Sequence, residues 1–232
     1  MPAEKNDTPW TEDFALGTPA LVCRWRLADR TLPLENRHLR ALSRRVVDDA
    51  PVSPQLVAWA KQHIEWTLGS GASRYPDGVL MVIVDDAGRA AMTVGPYEPL
   101  PVTTVSALAE RALRSAVEAL GTGVAPESLW VVRGDRLVCG TSGDLPSSGA
   151  ASLVRDLART LGVSVSNEEA LARSVMDGAA DFDEAFLVSD EHGVVPASDA
   201  PGPRSRRLAD GYARLLDAAR HRDEGADGIA RV

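Results

Sequence analysis

The chain has 232 residues, 44% hydrophobic and 25% charged, enough to bury a core as one large domain or as two small ones. Its formal net charge of −8 argues against a general binder of nucleic acid or of anionic membranes. Cys23 and Cys139 fit neither a disulfide framework nor a metal cluster, the opening MPAEKNDTPWTEDF has no apolar h-region, and no run approaches a membrane span. A cytoplasmic protein without a bound metal is therefore expected.

Residues 1–13 are polar and without periodicity, which reads as a flexible leader. From Ala20 to Leu27 the alternation ALVCRWRL predicts a strand with Arg24 and Arg26 on one face and Cys23, Trp25 and Leu27 on the other. In LPLENRHLRALSRRV, Leu34, His38, Leu39 and Leu42 recur at helical spacing, and Arg37, Arg40, Arg44 and Arg45 are expected on an exposed basic face. Ser53 is placed to cap a helix over 55–68 that buries Leu56, Trp59, Ile64 and Trp66 and ends at Gly69. The apolar run Val79 to Val84 predicts a strand covered on both faces, and Asp86 and Gly88 turn it into a second strand, Ala90 to Val94. Three prolines in GPYEPLPV mark an interdomain crossing at 97–101, between domains at 14–96 and 102–219.

The second half predicts a helix over 105–120 closed by Gly121, then strands 129–132 and 136–139 about a Gly134-Asp135 turn. A helix over 150–161 follows, then a short VSVS strand and a helix over 168–175 capped by Ser166 or Asn167. A hairpin of 182–188 and 193–197 leads to a final helix over 204–219, and 220–232 reads as a disordered tail.

The stretch DEAFLVSDEHGVVPA (183–197), followed by GPRSRRL (202–208), resembles the end of the class IV aminotransferases, which include branched-chain and D-amino-acid aminotransferases and aminodeoxychorismate lyase. LARTLGVSV (157–165) and LPLENRHLRAL (32–42) are similar to further segments of that family in the same order. The resemblance covers roughly 14–219 and implies a shortened two-domain α+β fold of the D-amino-acid aminotransferase type. It also implies pyridoxal phosphate, which needs a lysine to capture its aldehyde and donors for its phosphate.

The family's lysine falls at Val102 to Thr104, with Thr103 central, yet the chain holds only Lys5 and Lys61 among its 25 basic residues. The phosphate arginine, three positions after His38, falls on Ala41. The glutamate that faces the pyridine nitrogen matches Glu127, but the following asparagine is Ser128, and the strand pair before it is missing. The phosphate loop matches SSGAAS (147–152), where Ala151 stands in place of its hydroxyl and cation; Ser147 and Ser148 remain as anion donors or helix caps. No cofactor is expected; pyridoxal phosphate returns only if the lysine has been misplaced.

What remains points to a small carboxylated metabolite, amino-acid-like or chorismate-like, held in the cleft by Arg24, Arg26, Tyr97, Glu127 and Ser189. Cys23 needs an adjacent base such as His38 to be reactive and otherwise is a small buried strand residue. His192, in the DEHG turn, is expected in solvent, and His63 at a core edge. Three functions follow from the resemblance: a binder or acid–base enzyme that works without pyridoxal phosphate; a non-catalytic subunit of a homodimer or of a heterodimer with a paralogue; or a genuine aminotransferase or lyase using Lys61.

Overall fold

The computed structural model describes residues 15–70, 72 and 74–220, so the expectations for the leader and for the tail beyond Arg220 lie outside the described residues. The first sheet has the order β1 (Pro19–Arg26), β4 (Val79–Asp85), β5 (Ala90–Gly95), all antiparallel. Alternation fixes which side faces the core: Leu21, Cys23 and Trp25 pair in register with Val84, Val82 and Leu80, and all six are buried. Beneath them pack α1 (Glu35–Leu42) and α2 (Pro54–Ser70), through Leu39, Leu42, Ala60 and Ile64. A two-stranded ribbon, β2 (Val46–Val47) with β3 (Ala50–Pro51), joins these helices. The other face of β4 is less covered than expected, because Met81 and Ile83 are only partly buried.

Ser53 caps α2 as predicted, its Oγ accepting from the Leu56 amide at 3.1 Å. Trp66 departs from the reading: it is 61% exposed, because Ile64 and Ala60 take the inward positions of that turn. The β4–β5 turn is held by the buried Asp85 carboxylate, which accepts from the amides of Gly17, Ala87 and Arg89, with Gly88 at φ 76.

The second sheet has the order β10 (Gly193–Pro196), β9 (Glu184–Ser189), β6 (Glu127–Arg133), β7 (Arg136–Cys139), β8 (Val165–Asn167), antiparallel except for β7 with β8. Helices cover both of its faces, which is why every residue of β9 is buried. Trp130, Phe186 and Val188 pack against α4 (Gly149–Thr160) and α6 (Pro203–Arg220); Leu129, Val131 and Leu187 pack against α3 (Val105–Thr122) and α5 (Leu171–Met176). α3 runs past the predicted stop at Gly121 and closes at Gly123, the residue that takes the left-handed φ of 72. α5 is shorter than predicted and has no side-chain cap, since Ser166 and Asn167 are committed to β8. Arg220, placed in the tail by sequence, ends α6.

The acidic pair at the start of β9 is structural. Asp183 accepts from the Gly134 amide at 2.8 Å, and the buried Glu184 carboxylate accepts from the Arg204 and Ser205 amides at the start of α6. Glu184→Ala leaves those donors without a partner beside a helix dipole and is expected to cost roughly 2–3 kcal/mol. That loss is read as a lower urea midpoint at unchanged m-value. A change below about 0.5 kcal/mol, the ordinary surface range, would remove this assignment.

Candidate functional site

The two sheets meet along a polar seam built from the end of β1, α1, α3, the start of α4 and the turn 189–192. The amide of Arg26 donates to the Asp190 carbonyl at 3.1 Å, tying β1 to that turn. The side chain of Asp190 is buried at the amino end of α4, where its Oδ1 accepts from the Ala150 amide at 2.7 Å. Its Oδ2 lies 3.6 Å from Nδ1 of His38, itself buried and stacked on Trp25 at 5.1 Å. Burial alone would raise the Asp190 pKa, but His38, the Ala150 amide and Arg45 outweigh it and hold the carboxyl below its usual range. Gly149 is required by this crowding: a Cβ there would stand 2.5 Å from His38 Nδ1. On the rim of the seam, Arg37 donates to Ser152 and Asp156 of α4 at 3.0 and 2.8 Å.

Beside Asp190 opens a cavity of about 180 Å³ whose lining includes Arg24, Arg111, Glu118, Glu127, Ser189 and Glu191. That is room for about six waters, so any ligand is small. Arg111 is paired with Glu127 at 2.7 Å, and Arg24 reaches Glu191 only at 4.0 Å. Burial raises the carboxyl pKa of both Glu118 and Glu191. Positive and negative groups thus share one small, partly desolvated space.

The structure brings all five sequence candidates to this seam. Arg24, Glu127 and Ser189 line the cavity, although Ser189 Oγ is occupied in accepting from the Glu191 and His192 amides. Arg26, on the same face of β1 as Arg24, lies over Tyr97 with Cζ 3.3 Å from the ring centroid. Tyr97 in turn meets the ring of His192 at 5.7 Å.

His192 was expected in solvent, yet its side chain is only 4% exposed, because the turn folds inward between Tyr97, Arg111 and Glu127. Arg45 was assigned to an exposed basic face and is instead 1% exposed; it follows the end of α1 and points inward, close enough to act on Cys23, Glu118 and Asp190. Sequence reasoning also passed over Asp190 and Arg111. Only the i+4 spacing of Arg111 and Ser115 on α3 hinted that a polar pair faces inward. Cys23 is buried, burial pushes its thiol pKa up, and no hydrogen bond among the described residues joins it to His38.

The positions that the resemblance gave to a cofactor make the following contacts. Ala41 is buried at the α1 contact, and Ser128 accepts from the indole of Trp130 at 2.8 Å. The amide of Ala151 is capped by Ser148, and the carbonyl of Thr103 accepts from Ser198. Lys61 is exposed on α2. Among the described residues no group of three or more His, Cys, Asp or Glu is placed to hold a metal ion, and no helix is long and apolar enough to cross a membrane.

Burial lowers the His192 pKa from 6.5 to about 4, with Arg111, Arg26 and Arg24 adding to the effect against Glu127. Because the folded value lies below the unfolded one, the unfolded chain binds the extra proton between them. Stability therefore falls as pH drops from 6.5 toward about 4. His192→Gln removes this contribution, so its urea stability is expected to decline less over that interval than the wild type's. Parallel stability curves would show that His192 does not titrate differently on folding.

No sequence-family profile and no curated protein matches the chain. Solved structures do. A candidate 4-amino-4-deoxychorismate lyase from Legionella pneumophila superposes with a TM-score of 0.57 at 12% identity, over 88% of this chain and 97% of that one. A fold IV transaminase from Curtobacterium pusillum gives 0.55 at 15% identity, over 84% and 83%. The 4-amino-4-deoxychorismate lyase from Pseudomonas aeruginosa gives 0.52 at 15%, over 86% and 91%. At such identities the likeness speaks for architecture alone, and the architecture is the α+β fold of the class IV aminotransferases and aminodeoxychorismate lyases.

Proposed function

We propose that the chain binds a small carboxylated metabolite in the cleft between its two sheets and does so without pyridoxal phosphate. The observation that carries this reading is the position of Asp190. A helix amino terminus is a ready anion site, and that of α4 is taken by the chain's own carboxylate, backed by His38. A phosphate there would face a buried negative charge at contact distance. The only amine among the described residues, Lys61, is exposed on a helix of the first sheet, and Val102 to Thr104 offer none. On this reading the residues present do not fit pyridoxal phosphate. The cleft instead offers Arg24 and Arg111 for a carboxylate and Glu118, Glu127 and Glu191 for the donor groups of the same ligand.

Incubation with pyridoxal phosphate is expected to give no band at about 410–430 nm, and borohydride is expected to fix no phosphopyridoxyl group on Lys5 or Lys61. Either signal would overturn the cofactor-free reading. In calorimetry against a panel of small mono- and dicarboxylates, saturable binding is expected, weakened roughly tenfold by Arg24→Ala, the scale of one charge-assisted contact. Equal affinities would remove Arg24 from the site.

A second reading, a non-catalytic subunit of a dimer, draws on α3, which leaves Val117 69% and Leu120 88% exposed one turn apart. Light scattering on the purified chain is expected to give twice the monomer mass, falling to the monomer when both become glutamate. A wild-type monomer that co-purifies with no paralogue would end this alternative.

A further inference from the structure

Most buried polar atoms of the seam that have no protein hydrogen-bond partner are nitrogens. His38 Nδ1 and Asp190 Oδ2 face each other at 3.6 Å, and Arg45, with Nε and one terminal nitrogen unpartnered, lies on the Cys23 and Glu118 side of the seam. Around His192 the unpartnered atoms are Nε and one terminal nitrogen of Arg26, Nε of Arg111 and Nδ1 of His192 itself. Arginine nitrogens can only donate. The state of His192 follows from its neighbour. Arg111 approaches Nε2 at 3.3 Å and has no acceptor to offer, so Nε2 must be the accepting nitrogen. In a neutral imidazole the proton then sits on Nδ1, and that N–H is a buried donor. Buried donors left unpaired are rare and costly, so a cluster of them points to an acceptor supplied from outside the chain.

These donors belong to one row. Arg26 lies on Tyr97, Tyr97 meets His192, and the Arg26 amide is bonded to Asp190, two residues before His192. The row adjoins the cavity through Arg111 and Glu127, which line it and also touch His192. We infer that His192 is a ligand-binding residue: it donates its Nδ1–H to the carboxylate of a ligand whose charge is met by Arg26, and Arg111 is the positioning residue that fixes its tautomer. The inference rests on the proposed reading of the cleft as a carboxylate site and adds where the carboxylate lies and which neutral group recognises it. A neutral donor beside a guanidinium suits a planar oxyanion, because it adds direction without adding a second charge to be desolvated.

The test uses the full chain with nitrogen-15 histidine, long-range proton–nitrogen spectra at neutral pH, and malonate as probe. Without malonate, His192 is expected to show a protonated Nδ1 and an unprotonated Nε2. Arg111→Met is expected to shift that ratio toward the other tautomer, a change that a merely structural arginine would not produce. Malonate is expected to move the Nδ1 signal saturably, and His192→Ala and Arg26→Met each to weaken its binding roughly tenfold or more. An Nε2–H tautomer or an imidazolium in the wild type overturns the inference without any variant. Malonate binding that depends on Arg24 but not on Arg26 or His192 overturns it too, while leaving the cleft reading intact. A wild-type chain that binds neither malonate nor any carboxylate of the calorimetric panel overturns both.

Discussion

A buried carboxylate at a helix amino terminus organises the seam between the two sheets, on which the proposed reading depends. Asp190 opens the turn between β9 and β10, accepts from the first turn of α4 and faces His38 of α1, while its carbonyl accepts from Arg26. Such a charge is tolerated only because each partner is fixed: the α4 dipole, the amide and the imidazole offset a desolvation cost of several kcal/mol. Moving any of them exposes the others. The glycine at 149 and the tight stacking of His38 on Trp25 follow from the same demand for room and for rigidity.

That arrangement also decides what the neighbouring cavity can do. With the anion end of α4 satisfied internally, the remaining groups are arginines and carboxylates, of which Arg111 and Glu127 pair closely at 2.7 Å and Arg24 and Glu191 only loosely at 4.0 Å. Loose pairs in a partly desolvated space exchange partners at low cost when a ligand brings better geometry. The available chemistry is hydrogen bonding and proton exchange by carboxyls whose pKa burial has raised.

Much of the fold was legible because it is periodic. The alternation in ALVCRWRL placed Arg24 and Arg26 on one face and Cys23 and Trp25 on the other, and the turn at Gly134 was signalled by its dipeptide. Local rules also found Ser53 as a cap. They failed where two elements far apart in sequence close over a side chain. His192 reads as a turn residue and Arg45 as part of a basic face, yet Arg45 is buried and the His192 side chain is only 4% exposed, because packing of α3 and the 189–192 turn against β1 is a long-range event with no periodic signature. The helix stop was misplaced for a smaller reason: Gly121 and Gly123 are equally plausible by composition, and only the latter takes the left-handed conformation. Of the five candidates, Arg24, Glu127 and Ser189 line one cavity and Arg26 and Tyr97 stack beside it, but the groups that organise them, Asp190, Arg111 and His192, did not stand out from an acidic turn and a charged helix.

The absence of an amine at Val102 to Thr104 and the presence of Asp190 at α4 are, on the proposed reading, two sides of one change. A helix terminus that no longer receives a phosphate leaves amides with no acceptor, and a buried unsatisfied donor costs about 1–3 kcal/mol. A carboxylate from the adjacent turn supplies the acceptor permanently. Once installed, it excludes the phosphate by charge, so regaining a lysine alone would not restore the cofactor. The seam would have to lose Asp190 as well, and His38 would then stand buried without the carboxylate it faces. On that reading the two features stabilise each other within an architecture that matches the solved structures.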